Sequence, residues 1–331
     1  MPTLPIALTS GEPAGIGPEI TLRAWEALKG ELAFFLIGDP AHLPEGAPIA
    51  LIDAPEQAVD AMARGIPVLA RDFGGPRVPG QAQPGHAAHV VAAIREGVAL
   101  VQAGRAAAIT TNPIHKKALH DGAGFAFPGH TEFLADLAGV ERVVMMLACD
   151  ELRVVPTTIH IPLREVPGAL TPALLEETLR ITRDGLAPHL GRPPRIAVAG
   201  LNPHAGEEGA MGQEEIEMIA PLLERLRNEG FDLLGPLPAD TMFHPPARAR
   251  YDVAVAMYHD QALIPIKTLD FASGVNVTLG LGFVRTSPDH GTAFDIAGSG
   301  SADPTSLIAA LRMAKDMAMD MANDPAPETA S

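Results

Sequence analysis

Three histidines carry the strongest chemical signal in this sequence. His160 follows the apolar run 154–159, His204 follows 196–201 after a short turn, and His259 follows 253–258. Each stands at or just past the carboxyl end of an expected strand. Neutral imidazole is the commonest protein ligand for a divalent transition metal. Three protein ligands with one open position suit a catalytic site better than a structural one. Asp240, in GPLPADTMF (235–243), and Asp260 could add a carboxylate or orient an imidazole. The competing reading is three satisfied loop histidines: the chain has 12 histidines, and the long gaps between these three form no local metal motif.

A second group suits an anion. His130-Thr131-Glu132 follows Pro128-Gly129 and opens an expected helix. Backbone N–H groups at a helix start, with a hydroxyl and an imidazole, match a phosphate. A plain N-cap role for Thr131 is the alternative. Lys267, Asn276 and Arg285 come after His259. Arginine suits two-pronged recognition of carboxylate or phosphate, although surface Lys and Arg are usually just solvated. GEPAGIGPE (11–19) places Gly15 and Gly17 between a strand and a helix. Position 20 is Ile where a GxGxxG fingerprint needs glycine, and no P-loop lysine follows. A standard Rossmann site is therefore not supported, and neither a GxSxG elbow nor a CxxC pair is present.

The elements that position these residues follow from the apolar pattern. Short runs at 4–8, 107–109, 196–199 and 253–257 each precede a Gly- or Pro-rich segment and predict buried strands. Most do not alternate, which suits strands covered on both faces in a parallel sheet. Helical periods fill the gaps at 19–28, 86–101, 213–229 and 304–323, with another running from an N-cap at Thr171 toward 186. Strand–helix alternation predicts an α/β protein whose ligands bind at the carboxyl ends of strands. Residues 324–331 read as a tail.

Composition narrows the class. The chain has 331 residues, among them 32 glycines and 32 prolines, and 47% are hydrophobic. That hydrophobicity excludes general disorder. Cys149 is the single cysteine, which excludes a disulfide scaffold. No apolar run reaches the ~18–20 residues of a membrane span, and no secretory leader opens the chain; a cytoplasmic protein is expected. Forty acidic against 24 basic residues give a charge of −16, which argues against a nucleic-acid or membrane-surface role.

Seven strings, in the same order over about residues 5–320, resemble the 4-hydroxythreonine-4-phosphate dehydrogenase family of vitamin B6 biosynthesis. They are GEPAGIGPE (11–19), TNPIHK (111–116), GHTEFLA (129–135), GLNPHAGE (200–207), GPLPADT (235–241), MYHDQ (257–261) and GVNVTLGLGFVRTSPDHGTA (274–293). Asp289–Gly298 also resembles the cofactor loop of isocitrate and isopropylmalate dehydrogenases. The resemblance implies their fold, two α/β/α domains with a cleft between them: 1–128 plus 272–331, and 129–271. It implies His160, His204 and His259 as metal ligands, with zinc, magnesium or cobalt as the ion. His130, Thr131, Lys267, Asn276 and Arg285 would bind substrate, Lys267 and Asp240 would take catalytic roles, and Gly291, Thr292 and Asp295 would meet NAD or NADP. It implies a homodimer with residues of both chains in each site. The implied reaction is NAD(P)-dependent oxidation of 4-phosphohydroxy-L-threonine at C3, then decarboxylation to 3-amino-2-oxopropyl phosphate. Dehydrogenases of threonate or erythronate 4-phosphate, a dihydrodiol dehydrogenase, and a phosphate acetyltransferase-like enzyme are the rival expectations.

Overall fold

The computed structural model describes residues 4–323; the tail expected at 324–331 lies outside them. The described chain forms two units. One takes the chain up to Val143 together with Val275–Ala322, and the other takes Val144–Gly274.

The first unit opens with β1 (Ile6–Thr9), β2 (Phe34–Gly38), β3 (Ile49–Ile52), β4 (Ile66–Ala70) and β5 (Ile109–Thr111). The second holds β6 (Val144–Cys149), β7 (Leu152–Thr158), β8 (Ile196–Ala199), β9 (Leu233–Leu237) and β10 (Val253–Tyr258). The chain then returns to the first unit for β11 (Val275–Leu279) and β12 (Arg285–Pro288). Within the first unit the strand order is β3-β4-β2-β1-β5-β12-β11, parallel except for the β11/β12 pair. Within the second it is β6-β7-β10-β8-β9, parallel except for the β6/β7 hairpin.

The non-alternating strands are covered on both faces, as their sequences require. Every residue of β1, β2, β5 and β8 is buried. Helix Ala87–Gln102 buries Val90, Ile94 and Val98 with Ile109 and Leu119, while its Ala93 and Leu100 pack with Ala7, Phe35 and Ile37. Each such aliphatic side chain removed from water is worth roughly 1.5–3 kcal/mol. The second unit has its own core, including Leu147, Val154, Ala254, Leu263 and Ile266.

Two expectations shift. The sequence placed a boundary at 128/129, but helix His130–Ala138 stays with the first unit, because Phe133 and Leu134 fill the cluster around Ile94 and Phe125. The return point is Val275 where the sequence put 272. Residues 213–229 are also not one regular α-helix: a π-turn, Glu215–Ile219, precedes the α-helix Ala220–Asn228. Pro221 has no N–H for the carbonyl four residues before it, and Glu215 is turned inward to hold Asn202. The helix after Thr171 is as expected at its start: Leu174 N–H donates to Thr171 Oγ1 at 3.1 Å. No helix among the described residues is long and apolar enough to cross a membrane.

Candidate active site

The first unit supplies a buried cation. Arg285 begins β12, in register with Ile109 of β5, and is 3% exposed. Its Nη1 donates to Thr278 Oγ1 at 3.0 Å and its Nη2 to Thr111 Oγ1 at 2.7 Å. Nε is buried and has no partner. No carboxylate among the described residues pairs with it. Burial lowers its pKa to about 10, so it stays charged at neutral pH. An uncompensated buried charge is costly unless a ligand anion completes it.

Two neighbours of the same unit fit that anion. His130 opens helix His130–Ala138, and its buried Nε2 lacks a partner. Burial first, then the charges of Arg285 and Lys116, hold the His130 imidazole well below its usual pKa, so it is neutral. Asn276, on β11 opposite Ser287 of β12, has a buried Oδ1 without a partner. Buried polar atoms are rarely left unsatisfied, so a cluster of them marks a place for a ligand. Thr131 sits inside the helix, where the N-cap position belongs to Gly129 with no side-chain cap bond. The plain capping role for Thr131 is therefore not what the structure shows.

The loop 289–298 is braced by the N-terminal motif. Ile16 N–H donates to Thr292 O at 3.0 Å, and a Cβ on Gly15 would sit 2.8 Å from that oxygen. Glu19 accepts hydrogen bonds from the N–H groups of Gly298 and Gly300. Gly11, at φ 65°, lets the turn close where a Cβ would lie 2.5 Å from Pro113 O. Gly291 and Asp295 are exposed and Thr292 is half-buried.

The second unit holds the histidines. His160 follows β7 with φ 55°, and His259 begins helix His259–Leu269 after β10. Their ring centroids lie 5.7 Å apart. Both line a cavity of about 300 Å³ with Thr158, Ile161, Leu163 and Tyr258. His259 Nδ1 donates to Asp260 Oδ1 at 2.8 Å, which leaves Nε2 as the lone-pair nitrogen. Imidazoles with a carboxylate behind one of them fit a borderline divalent ion.

His204 is not brought into this pair. It lies in a turn, Pro203–Gly209, in which residues 204–208 all have φ between 43° and 81°. Four of those five are not glycine, and each costs roughly 1–2 kcal/mol in that conformation. Glu215, 3% exposed, holds the turn: its carboxylate accepts from Asn202 N at 2.8 Å and Asn202 Nδ2 at 3.0 Å. The His204 side chain is 61% exposed, with Nδ1 3.4 Å from Glu207 Oε2. Among the described residues no group of three or more His, Cys, Asp or Glu is placed to hold a metal. Asp240 is exposed, in the turn Ala239–Thr241 that packs on the turn carrying His204. Lys267 is half-buried, its Nζ 5.3 Å from the Phe271 ring centroid.

Sequence reasoning missed the supporting residues. Thr111, Thr278 and Glu19 lie within the quoted strings TNPIHK, GVNVTLGLGFVRTSPDHGTA and GEPAGIGPE but were given no role there, and Glu215 lies outside them all. A buried polar residue at a strand end was the available signal.

The parallel strands, the buried cation and the imidazole cavity define a two-unit α/β protein of the isocitrate/isopropylmalate dehydrogenase-like type. That fold, and only the fold, is shared with a beta-decarboxylating dehydrogenase from Thermococcus kodakarensis: 16% identity, TM-score 0.50, over 95% of this chain and 83% of that one. The family model "Pyridoxal phosphate biosynthetic protein PdxA" matches residues 31–314, and the chain belongs to that family. It is 60% identical over 314 residues to a 4-hydroxythreonine-4-phosphate dehydrogenase of Ruegeria sp. (strain TM1040), covering 95% of this chain and 96% of that one. A crystal structure of 4-hydroxythreonine-4-phosphate dehydrogenase from Klebsiella pneumoniae matches with TM-score 0.86 and 39% identity, over 96% of this chain and 100% of that one.

Proposed function

We propose that this chain is an oxidoreductase that oxidises 4-phosphohydroxy-L-threonine at C3 with NAD or NADP, in the making of pyridoxal phosphate. The 3-keto product is a β-keto acid, and loss of CO₂ from it gives 3-amino-2-oxopropyl phosphate. Family membership supports the reaction class. The observation that carries the substrate class is Arg285, a fully buried cation whose Nε and neighbours His130 and Asn276 lack partners.

In this reading Arg285, Thr131, Asn276 and neutral His130 hold the phosphate or carboxylate and fix the substrate's orientation. His160 and His259 would hold a divalent metal, with His204 as the third ligand. In the homodimer the resemblance implies, that third imidazole comes from this chain's turn 203–209 or from the partner's. When bound, the metal and the dinucleotide supply a Lewis acid and a hydride acceptor. Water bound to a metal falls in pKa from 15.7 to about 7 in good cases, up to roughly 12 kcal/mol of anion stabilisation at 1.36 kcal/mol per unit. A side-chain base contributes about 10²–10⁴-fold, or roughly 3–5 kcal/mol. Lys267 and Asp240 therefore take the smaller part, moving the proton released from the C3 hydroxyl. Gly291, Thr292 and Asp295 line the dinucleotide, and the Asp295 carboxylate disfavours a 2′-phosphate, which leans the site toward NAD.

The test is a substrate panel on purified protein with NAD and NADP, read at the nicotinamide absorbance band. Reduction with 4-phosphohydroxy-L-threonine, and not with threonate or erythronate 4-phosphate, is expected. Reduction only with the latter two would reassign the substrate. No reduction, with acyl transfer to phosphate instead, would overturn the redox reading.

A further inference from the structure

Two buried imidazoles in the first unit take no part in the chemistry above. His42 closes the short turn Pro40–His42 and His86 closes Pro84–His86; each is 4% exposed. Their ring centroids are 4.9 Å apart. Phe73, 1% exposed, meets His42 edge-on at 5.4 Å and stacks on His89 at 5.2 Å. His42 Nε2 lies 2.8 Å from the carbonyl oxygen of Gly75. A carbonyl only accepts, so Nε2 carries the hydrogen. Nδ1 of each ring is buried without a partner. Burial and the nearby His42 keep His86 below its usual pKa; His89 acts in the same direction and Asp39 opposes it. His42 is therefore the donor that grips the Gly75 carbonyl, with the buried His86 ring packed beside it.

That carbonyl belongs to residues 71–83, which form neither helix nor strand. Beyond Gly75 the segment is tied to the N-terminal motif. Arg77 Nη1 donates to Pro13 O at 3.4 Å, and Gly80 N–H donates to Ala14 O at 2.8 Å. It also abuts loop 289–298. A Cβ on Gly80 would lie 3.0 Å from Phe294 O, and one on Gly298 would lie 2.9 Å from Pro79 Cβ. The grip on Gly75 is thus five residues from a close contact with that loop.

We infer that His42, with His86 packed against it, is a positioning residue: by holding the Gly75 carbonyl it presses segment 75–80 onto loop 289–298 and so sets the affinity for the nicotinamide dinucleotide. The inference rests on the reading of 289–298 as the cofactor loop. Acid weakens the grip, because a proton on the buried His86 ring sets a cation against His42 inside the core. The charged and titratable groups facing the pair are His89 and Asp39, with Arg77 and Glu19 further along the segment.

Two measurements on the full chain test this: steady-state kinetics from pH 5.5 to 8.5, and the rate of trypsin cleavage after Arg77 without cofactors. Losing one buried hydrogen bond in His42→Ala should raise the dinucleotide KM about tenfold. The kcat and the KM for the phosphorylated substrate should stay within about twofold, while cleavage after Arg77 accelerates. His42→Gln keeps an N–H for the same carbonyl and should restore wild-type KM. His86→Gln serves as the second variant if His42→Ala fails to fold, and it should flatten the rise in dinucleotide KM that wild type shows toward pH 5.5. Faster cleavage with an unchanged dinucleotide KM would overturn the link to cofactor affinity, and unchanged cleavage would overturn the grip itself. If wild type reduces no dinucleotide, the functional reading has failed. The grip on 75–80 is then decided by cleavage alone, which must accelerate in His42→Ala and in wild type at pH 5.5.

Discussion

The two units prepare for ligands in opposite ways. In the first, a cation is sunk into a dry sheet: Arg285 is 3% exposed and bonded only to two threonine hydroxyls. In the second, the imidazoles stand at the surface, around a cavity of about 300 Å³ and on a turn of left-handed residues. The first arrangement gives a fixed charge whose desolvation has already been met by folding. The second keeps its donors accessible and lets their geometry be completed by what binds.

The largest effect should come from the dry side. Arg285→Met should lower kcat/KM by about 10²–10³-fold, the 2–5 kcal/mol typical of a truncated buried charge contact. Folding should survive, since removing an uncompensated buried charge relieves a cost. Arg285→Lys recovering full activity would break the comparison, because a lysine cannot reproduce the two-pronged geometry.

On the open side, stripping the metal with a chelator should abolish turnover, and re-adding zinc or cobalt should restore it. His259→Ala and His204→Ala should each cut kcat about 10²-fold or more and lower metal content, with the melting temperature nearly unchanged because both rings are exposed. Full metal content in His204→Ala would remove that residue from the ligand set. A smaller loss is expected at Glu215→Gln: about 1–3 kcal/mol of stability through a weakened buried acceptor, with metal content falling as the turn at 203–208 relaxes.

The pH dependence sharpens the contrast at the smallest scale. His130 is held below its ordinary value of 6.5, so the unfolded chain takes up the proton first. Stability from this group is intact above about pH 6.5 and falls as pH drops below it. His130→Asn should flatten that acid limb of the melting curve. A limb unchanged in this variant would mean that His130 is not the titrating group.

Much of this organisation is legible in residues 196–199, 253–258 and 130–138, where short apolar runs and a Pro-Gly opening determine local structure. The long motifs also point to Arg285, His130 and the histidines. Burial depth is not legible: Arg285 reads like a surface arginine, and its dryness comes from β5 and β11 on either side of its strand, a pairing across distant sequence. The boundary near 128 fails for a related reason, since Phe133 and Leu134 choose their unit by packing. The turn at 203–208 is missed because left-handed His, Ala and Glu contradict local preference, and the contacts of Asn202 with Glu214 and Glu215 that hold them are not visible in the sequence.

The strand order of the first unit also has a consequence for synthesis. β12 lies between β5 and β11, so the strand carrying Arg285 reaches its place after the whole second unit has been made. At ribosomal speeds of about 5–20 residues per second, Thr111 waits roughly 10–30 seconds for its arginine. During that interval the edge of β5 is open to other partners. The cluster of unpartnered polar atoms around Arg285 therefore cannot form on a truncated or stalled product.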